Sequence, residues 1–174
     1  DLHSFPTRRS SDLRTYFMKK ALFEAECAEK AGEVPVGAVI ALDGKIIGRG
    51  RNRILEKKDP TAHAEMEAIR NAAKTIGRER LEGSIMYVTL EPCIMCAGAL
   101  VLARVEKLVI GTEDLKSGAC GSVFNMVDGE RLNHRIEVEF ISTVPECSNL
   151  LKEFFMRRRK ENKIAKSKKF SEEV

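Results

Sequence analysis

Two short clusters, His63-Ala64-Glu65 and Pro92-Cys93-Ile94-Met95-Cys96, are separated by twenty-six residues, and each falls where a loop enters a predicted helix. Pro60-Thr61 opens the first helix, which runs through about Ile76 with Thr61 as its cap and Gly77 past its end. Ser84 to Thr89 reads as a strand, Pro92 begins a helix to about Ala103, and Lys107 to Gly111 reads as a further strand. Strand, helix and strand joined by short links make a right-handed parallel crossover.

The flanking sequence fits around that unit. Phe17, Ala21, Leu22, Ala25 and Ala28 recur at helical spacing, so Thr15 to Ala31 is predicted as an amphipathic helix closed by Gly32. Val34 to Leu42 and Lys45 to Arg51 read as strands joined by an Asp43-Gly44 hairpin turn. Glu113 to Gly129 is rich in glycine and polar residues, a loop with room for a short helix near Val123. Ile136 to Phe140 is predicted as the fifth strand, and Val144 to about Lys163 as a final helix. No internal repeat or long linker divides the chain, and the pattern predicts an α/β fold, a three-layer α/β/α sandwich on a five-stranded mixed sheet.

Length and charge narrow the possibilities. A chain of 174 residues buries one substantial core. No stretch approaches the eighteen or so apolar residues of a membrane span, and the first thirty residues are too charged for a secretory signal, so the expected compartment is the cytoplasm. Residues 1–13 are expected to be a non-native tail, because Ser4 to Leu13 resembles the translation of a sequencing-adapter oligonucleotide. The domain proper is expected to span 14–163, with a basic, disordered tail at 164–174. The net charge of +4 is modest, but between Arg157 and Lys169 eight positive residues face one negative, Glu161. A helix that basic is either a solvated surface or a contact for phosphates.

Five cysteines in a reducing compartment point to metal or catalysis more than to disulfides. Cys27, Cys120 and Cys147 are scattered and fit as small buried hydrophobes. Cys93 and Cys96, at i and i+3, lie on one helical face near a helix N-terminus, which favours thiolates. With His63 they form a set suited to tetrahedral zinc. Three protein ligands leave a position open, since His134 and Cys120 are far along the chain and His3 lies in the suspect tail. Zinc lowers the pKa of a water held there towards about 7. Glu65 can share that site only if the helix is just beginning at His63, and there it can move the water's proton.

Together these residues resemble the zinc-dependent cytidine and nucleobase deaminases, whose signature is His-x-Glu followed by Pro-Cys-x-x-Cys. The resemblance is narrower in Glu33-Val34-Pro35-Val36-Gly37-Ala38-Val39, Asn52, Asp59-Pro60-Thr61-Ala62 and Tyr87-Val88-Thr89-Leu90-Glu91. It continues through Asp114, Gly118, Gly121-Ser122, Asn133-His134-Arg135 and Phe154-Phe155. These segments are similar to the TadA-type bacterial tRNA-specific adenosine deaminases over about Tyr16 to Lys163.

That resemblance implies hydrolysis of the wobble adenosine of a tRNA anticodon to inosine, with one zinc per subunit on His63, Cys93 and Cys96 and Glu65 as proton shuttle. It implies that Asn52 hydrogen-bonds the flipped base, that Val34 and Ala62 line its pocket, and that Asp114, Lys116 and Asn133 meet the flanking nucleotides. It also implies a homodimer. Read without the resemblance, Asn52 is equally a turn residue, Asp114 a loop cap and Phe154 a core anchor. Two other functions share the signature or part of it. One is a deaminase of a free base or nucleotide of the guanine or cytosine type; the other is a zinc-stabilised RNA-binding module, for which Glu65 would have no use.

Overall fold

The computed structural model describes residues 10–172, with side chains described for 11–168. The opening stretch to residue 9, which includes His3, and the last two residues lie outside the described part.

Strand β1 (Gly37–Leu42) explains the layers. Ala38 and Ile40 point to one face and Val39 and Ala41 to the other, and all are buried. A strand covered on both faces belongs at the centre of a sheet. Strand β2 (Lys45–Arg51) returns antiparallel to it through Asp43 and Gly44, both in the left-handed region that a tight two-residue hairpin demands. Strand β3 (Ile85–Val88) lies antiparallel on the other side of β1, and β4 (Lys107–Ile110) and β5 (Glu137–Phe140) follow in parallel. The order is β2-β1-β3-β4-β5, the five-stranded mixed sheet that the pattern predicts.

On one face α1 (Ser10–Lys30) sets Phe17, Met18, Ala21 and Leu22 against Val39, Tyr87 and Val109. On the other, α3 (Ala64–Ile76) and α4 (Ile94–Leu102) set Ala64, Ala68, Ala72 and Leu100 against Ile40, Met86, Val88 and Leu108. The α3 alanines recur every fourth residue, so they form one smooth stripe. That stripe lies flat on β2 only because Gly48 and Gly50 face it. A Cβ on Gly50 would stand 2.0 Å from the Ala64 carbonyl, and one on Gly48 2.4 Å from that of Ala68. The glycines therefore fix where α3 begins, and the site is built at that beginning.

Several boundaries differ from the sequence-based expectation. Helix α3 starts at Ala64 with His63 as its N-cap, so Thr61 is not the cap; its backbone and hydroxyl instead donate to Asp59 in a turn before the helix. Helix α4 likewise starts after Cys93 and not at Pro92. Ser10 to Leu13 are the first turn of α1, not an irregular tail. A short helix α2 (Ile54–Lys57) follows β2, where none was expected. Its backbone N–H groups at Leu55 and Glu56 are capped from a distance by the buried Glu33 carboxylate, at 2.8 and 2.9 Å. No helix forms near Val123, where the chain makes turns. Helix α5 (Glu146–Glu172) is continuous, so the expected disordered tail after residue 163 is helical as far as Glu172. That segment lacks glycine and proline, and its lysines and alanine are good helix formers.

Candidate active site

His63 and Cys93 occupy equivalent places. Each is the N-cap of its helix, in extended conformation with φ near −73° and −74°, and neither spends its side chain on capping. Cys96, one turn into α4, is buried beside them. The His63 Nδ1 lies 3.7 Å from the Cys93 Sγ and 3.6 Å from the Cys96 Sγ, and all three atoms fall within 4.8 Å of one another. Nitrogen and sulfur held about 2.0 and 2.3 Å from a tetrahedral zinc stand about 3.5 Å apart, so the donors are already close to metal-ligand spacing.

The proton balance of the three groups points the same way. The Cys93 thiol is pushed down to about 4, first by its hydrogen bond with Cys96 and then, against the cost of burial, by His63. The Cys96 thiol is pushed far up, mainly by that same bond to Cys93 and by burial. The His63 imidazole is pushed up, chiefly by its hydrogen bond with Cys93. Two thiolates and a neutral imidazole can coexist here only around a cation, which replaces the shared protons.

Glu65 is the second residue of α3 and only 3% exposed. Because His63 is extended, Glu65 turns back toward the same site, where His63, Cys93 and Cys96 act on its carboxyl. Burial pushes its carboxyl up to about 7. It is not one of the three residues grouped at metal-ligand spacing. A carboxyl with that affinity for a proton, placed beside the ligand set and outside it, is suited to give and take protons near neutrality.

Asn52, just after β2, ties the segment before β1 to the start of α3. Its Nδ2 donates to the Val34 carbonyl at 3.1 Å, and its Oδ1 accepts from the Ala64 N–H at 2.9 Å. Val34 is partly buried and Ala62 wholly so. Asn52 therefore joins the Val34 segment to the start of α3, next to Ala62 in the chain.

The family model described as MafB19-like deaminase matches residues 12–159. The tRNA-specific adenosine deaminase of Aquifex aeolicus (strain VF5) is 51% identical over 146 residues, which covers 84% of this chain and 96% of that protein. The chain belongs to this deaminase family. A solved structure from studies of A-to-I editing by tRNA:A34 deaminases at the wobble position of transfer RNA superposes with a TM-score of 0.75 at 44% identity, covering 79% of this chain and 99% of that one. Bacillus subtilis guanine deaminase superposes with a TM-score of 0.56 at 32% identity, covering 84% of this chain and 93% of that one.

Within this deaminase fold the remaining sequence-predicted residues divide. Asp114 and Lys116 sit together on the long connection from β4 to β5. The Asp114 carboxylate is occupied locally, accepting from the Lys116 N–H at 2.9 Å, from the Ser117 N–H at 3.1 Å and from the Ser117 hydroxyl at 2.6 Å. Burial works against its charge, yet these donors hold it below the usual carboxylate range. Asn133 is not brought to the His63 site. Its carbonyl accepts from Arg104 at 3.0 Å, just past the C-terminal end of α4, while the ligands stand at the N-terminal end. Nine residues of helix separate those ends by about 14 Å. Phe154 is buried and Phe155 exposed, and Cys120 and Cys147 are buried as free thiols.

Glu91 has a place in the site that the sequence reading does not assign to it. It is 2% exposed, and its carboxylate gathers the connection after β4. Its position directly before Pro92-Cys93 could have raised the question of what so short a link to the metal ligands must hold.

Proposed function

We propose that the chain hydrolyses the adenosine at the wobble position of a tRNA anticodon to inosine, releasing ammonia. Identity of 51% across 96% of the Aquifex aeolicus tRNA-specific adenosine deaminase carries the substrate assignment. The deaminase of guanine matches at only 32%.

His63, Cys93 and Cys96 would hold one zinc, whose Lewis acidity makes water a nucleophile near neutral pH. The chain's own residues do the rest. Glu65 takes the proton from water, delivers it to the ring nitrogen adjacent to the reacting carbon, and serves the departing amine in the same way. The carboxyl is buried and so keeps a high proton affinity, which one group needs if it is to act first as base and then as acid. Ala62 and Val34 supply the apolar wall of the pocket. Asn52 has one Nδ2 hydrogen left beyond its bond to Val34, and this can meet a ring nitrogen of the base. A base stacked in a loop cannot reach these groups, so the nucleotide has to be splayed out.

Asp114 and Lys116, on the connection after β4, would meet flanking nucleotides. Asn133, at the far end of α4, would touch RNA only across a wider footprint. One stripe of α4 supports a homodimer as the source of that footprint. Ile94, Gly98 and Leu102 follow at i, i+4 and i+8, Leu102 is 81% exposed, and a Cβ on Gly98 would meet nothing within 4 Å. No helix among the described residues is long and apolar enough to cross a membrane. A cytoplasmic location accompanies the tRNA reading.

The substrate class is tested by ammonia release from three compounds offered separately to the zinc-loaded chain: an anticodon stem-loop with adenosine at the wobble position, free guanine, and free cytosine. Release from the stem-loop alone is expected. Release from guanine or cytosine with an unchanged stem-loop would replace this reading with that of a free-base deaminase.

A further inference from the structure

We propose that Glu91 is a positioning residue whose carboxylate fastens residues 114–122 to the start of α4, holding Asp114 and Lys116 in register with the metal ligands. Glu91 ends the link from β3, two residues before Cys93 and five before Cys96. Its backbone N–H donates to the Thr112 carbonyl at 2.8 Å, which aligns the two chain segments side by side. Its side chain then reaches into the neighbouring segment. Oε1 accepts from the Cys120 and Ser122 N–H groups, each at 3.0 Å, and Oε2 accepts from the Asp114 N–H at 3.0 Å and from the Ser122 hydroxyl. All four partners are donors, so both oxygens act only as acceptors, which is what a carboxylate offers and an amide cannot.

The loop is shaped to allow this. A Cβ on Gly118 would stand 2.5 Å from the Glu91 carboxyl carbon and from its Oε2, and 2.5 Å from the Asp114 carbonyl. Only glycine lets the backbone close round the carboxylate. One further tie, from the Ala119 N–H to the Pro92 carbonyl at 2.9 Å, joins the same two segments. The connection carries no helix, although it joins parallel strands, so these bonds replace regular structure as the source of its shape. Its outer side chains stay free of the core, with Leu115 77% exposed and Phe124 46%. The loop is thus anchored at its base to the catalytic helix and open at its rim, as a substrate-facing loop needs to be.

The functional half of this proposal rests on the RNA reading given above, and the test separates the two. Full-length, zinc-loaded Glu91→Gln and Ser122→Ala chains are compared with the unaltered chain. Glutamine keeps the volume but sets an NH2 group against donors. Hydrogen exchange without RNA should quicken at the Asp114, Cys120 and Ser122 amides by about tenfold or more, the effect of losing one such bond. Zinc content should stay the same. KM for the stem-loop should rise by about tenfold, with kcat changed by less than about threefold. Ser122→Ala should quicken exchange and raise KM in the same way by less, and it carries the test if Glu91→Gln does not fold. Unchanged exchange, or a fall in kcat with KM unaltered, would overturn the proposal. If the unaltered chain makes no inosine, the RNA reading fails, and the exchange data still decide whether Glu91 holds the loop.

Discussion

Glu65 and Cys93 stand on the first turns of neighbouring helices, and they differ in what each does with its proton. Cys93 must give its proton up to hold a metal, whereas Glu65 must keep a high affinity for one. Glu65→Ala should therefore leave one zinc per chain and lower kcat by about a hundredfold or more, the usual worth of a general acid and base. Metal content and turnover measured on the same preparation check this. Loss of zinc would make Glu65 a ligand. Cys93→Ala and Cys96→Ala should lose metal and activity together. Asn52→Ala should raise KM and also destabilise the chain by about 1–3 kcal/mol in denaturant unfolding, because it leaves the buried Ala64 N–H without its partner, while the Val34 carbonyl keeps its bond from the Val36 N–H at 2.8 Å. At this scale the grouping of His63, Cys93 and Cys96 was legible in the sequence, since it follows from spacing at helix starts. The Glu91 carboxylate was not, because its partners lie 23 to 31 positions away and are backbone groups that carry no signal in residue type.

Among the elements, the hairpin at Asp43-Gly44 and the crossover from β3 through α4 to β4 were readable because local residues dictate them. The starts of α3 and α4 were placed about two residues early, and that of α1 five residues late. Pro60-Thr61 and Pro92 look like starting signals, but the true N-caps are His63 and Cys93, which point their side chains at each other and away from their own backbones. Helix α5 continues past its last buried residue, Phe154, because its composition is strongly helical even without a core to face. Its exposed half is where the RNA reading can be tested by salt. Arg157 already pairs with Glu29 at 2.5 Å, and Arg158 lies over the Phe154 ring, while Arg159 and Lys160 stand exposed. Changing all four to Gln should weaken stem-loop binding and flatten its salt dependence by about two units, with turnover at saturating RNA preserved. An unchanged slope would mark the arm as a solvated surface. At the other end, polar ties of α1 to the body begin at Arg14 with Glu139 and Thr15 with Thr143. A chain trimmed to 14–163 should accordingly keep its melting temperature within a few degrees, because the described side chains it loses, at 11–13 and 164–168, are exposed.

For the whole molecule, the sheet brings two helix starts into contact and leaves the opposite end of α4 bare. Burial of that apolar stripe between two copies is what the proposed homodimer requires. Leu102→Asp should turn a dimer into a monomer in light scattering, leave zinc in place and lower activity on the stem-loop. A monomeric unaltered chain with full activity would exclude this arrangement. The most direct measurement is nucleoside-resolved mass analysis of an anticodon stem-loop after incubation with the zinc-loaded chain and, separately, with Glu65→Ala. Inosine at the wobble position alone, formed by the unaltered chain and absent with Glu65→Ala, is the expected result. Adenosine left intact by a zinc-loaded unaltered chain, or inosine formed equally by Glu65→Ala, would contradict it.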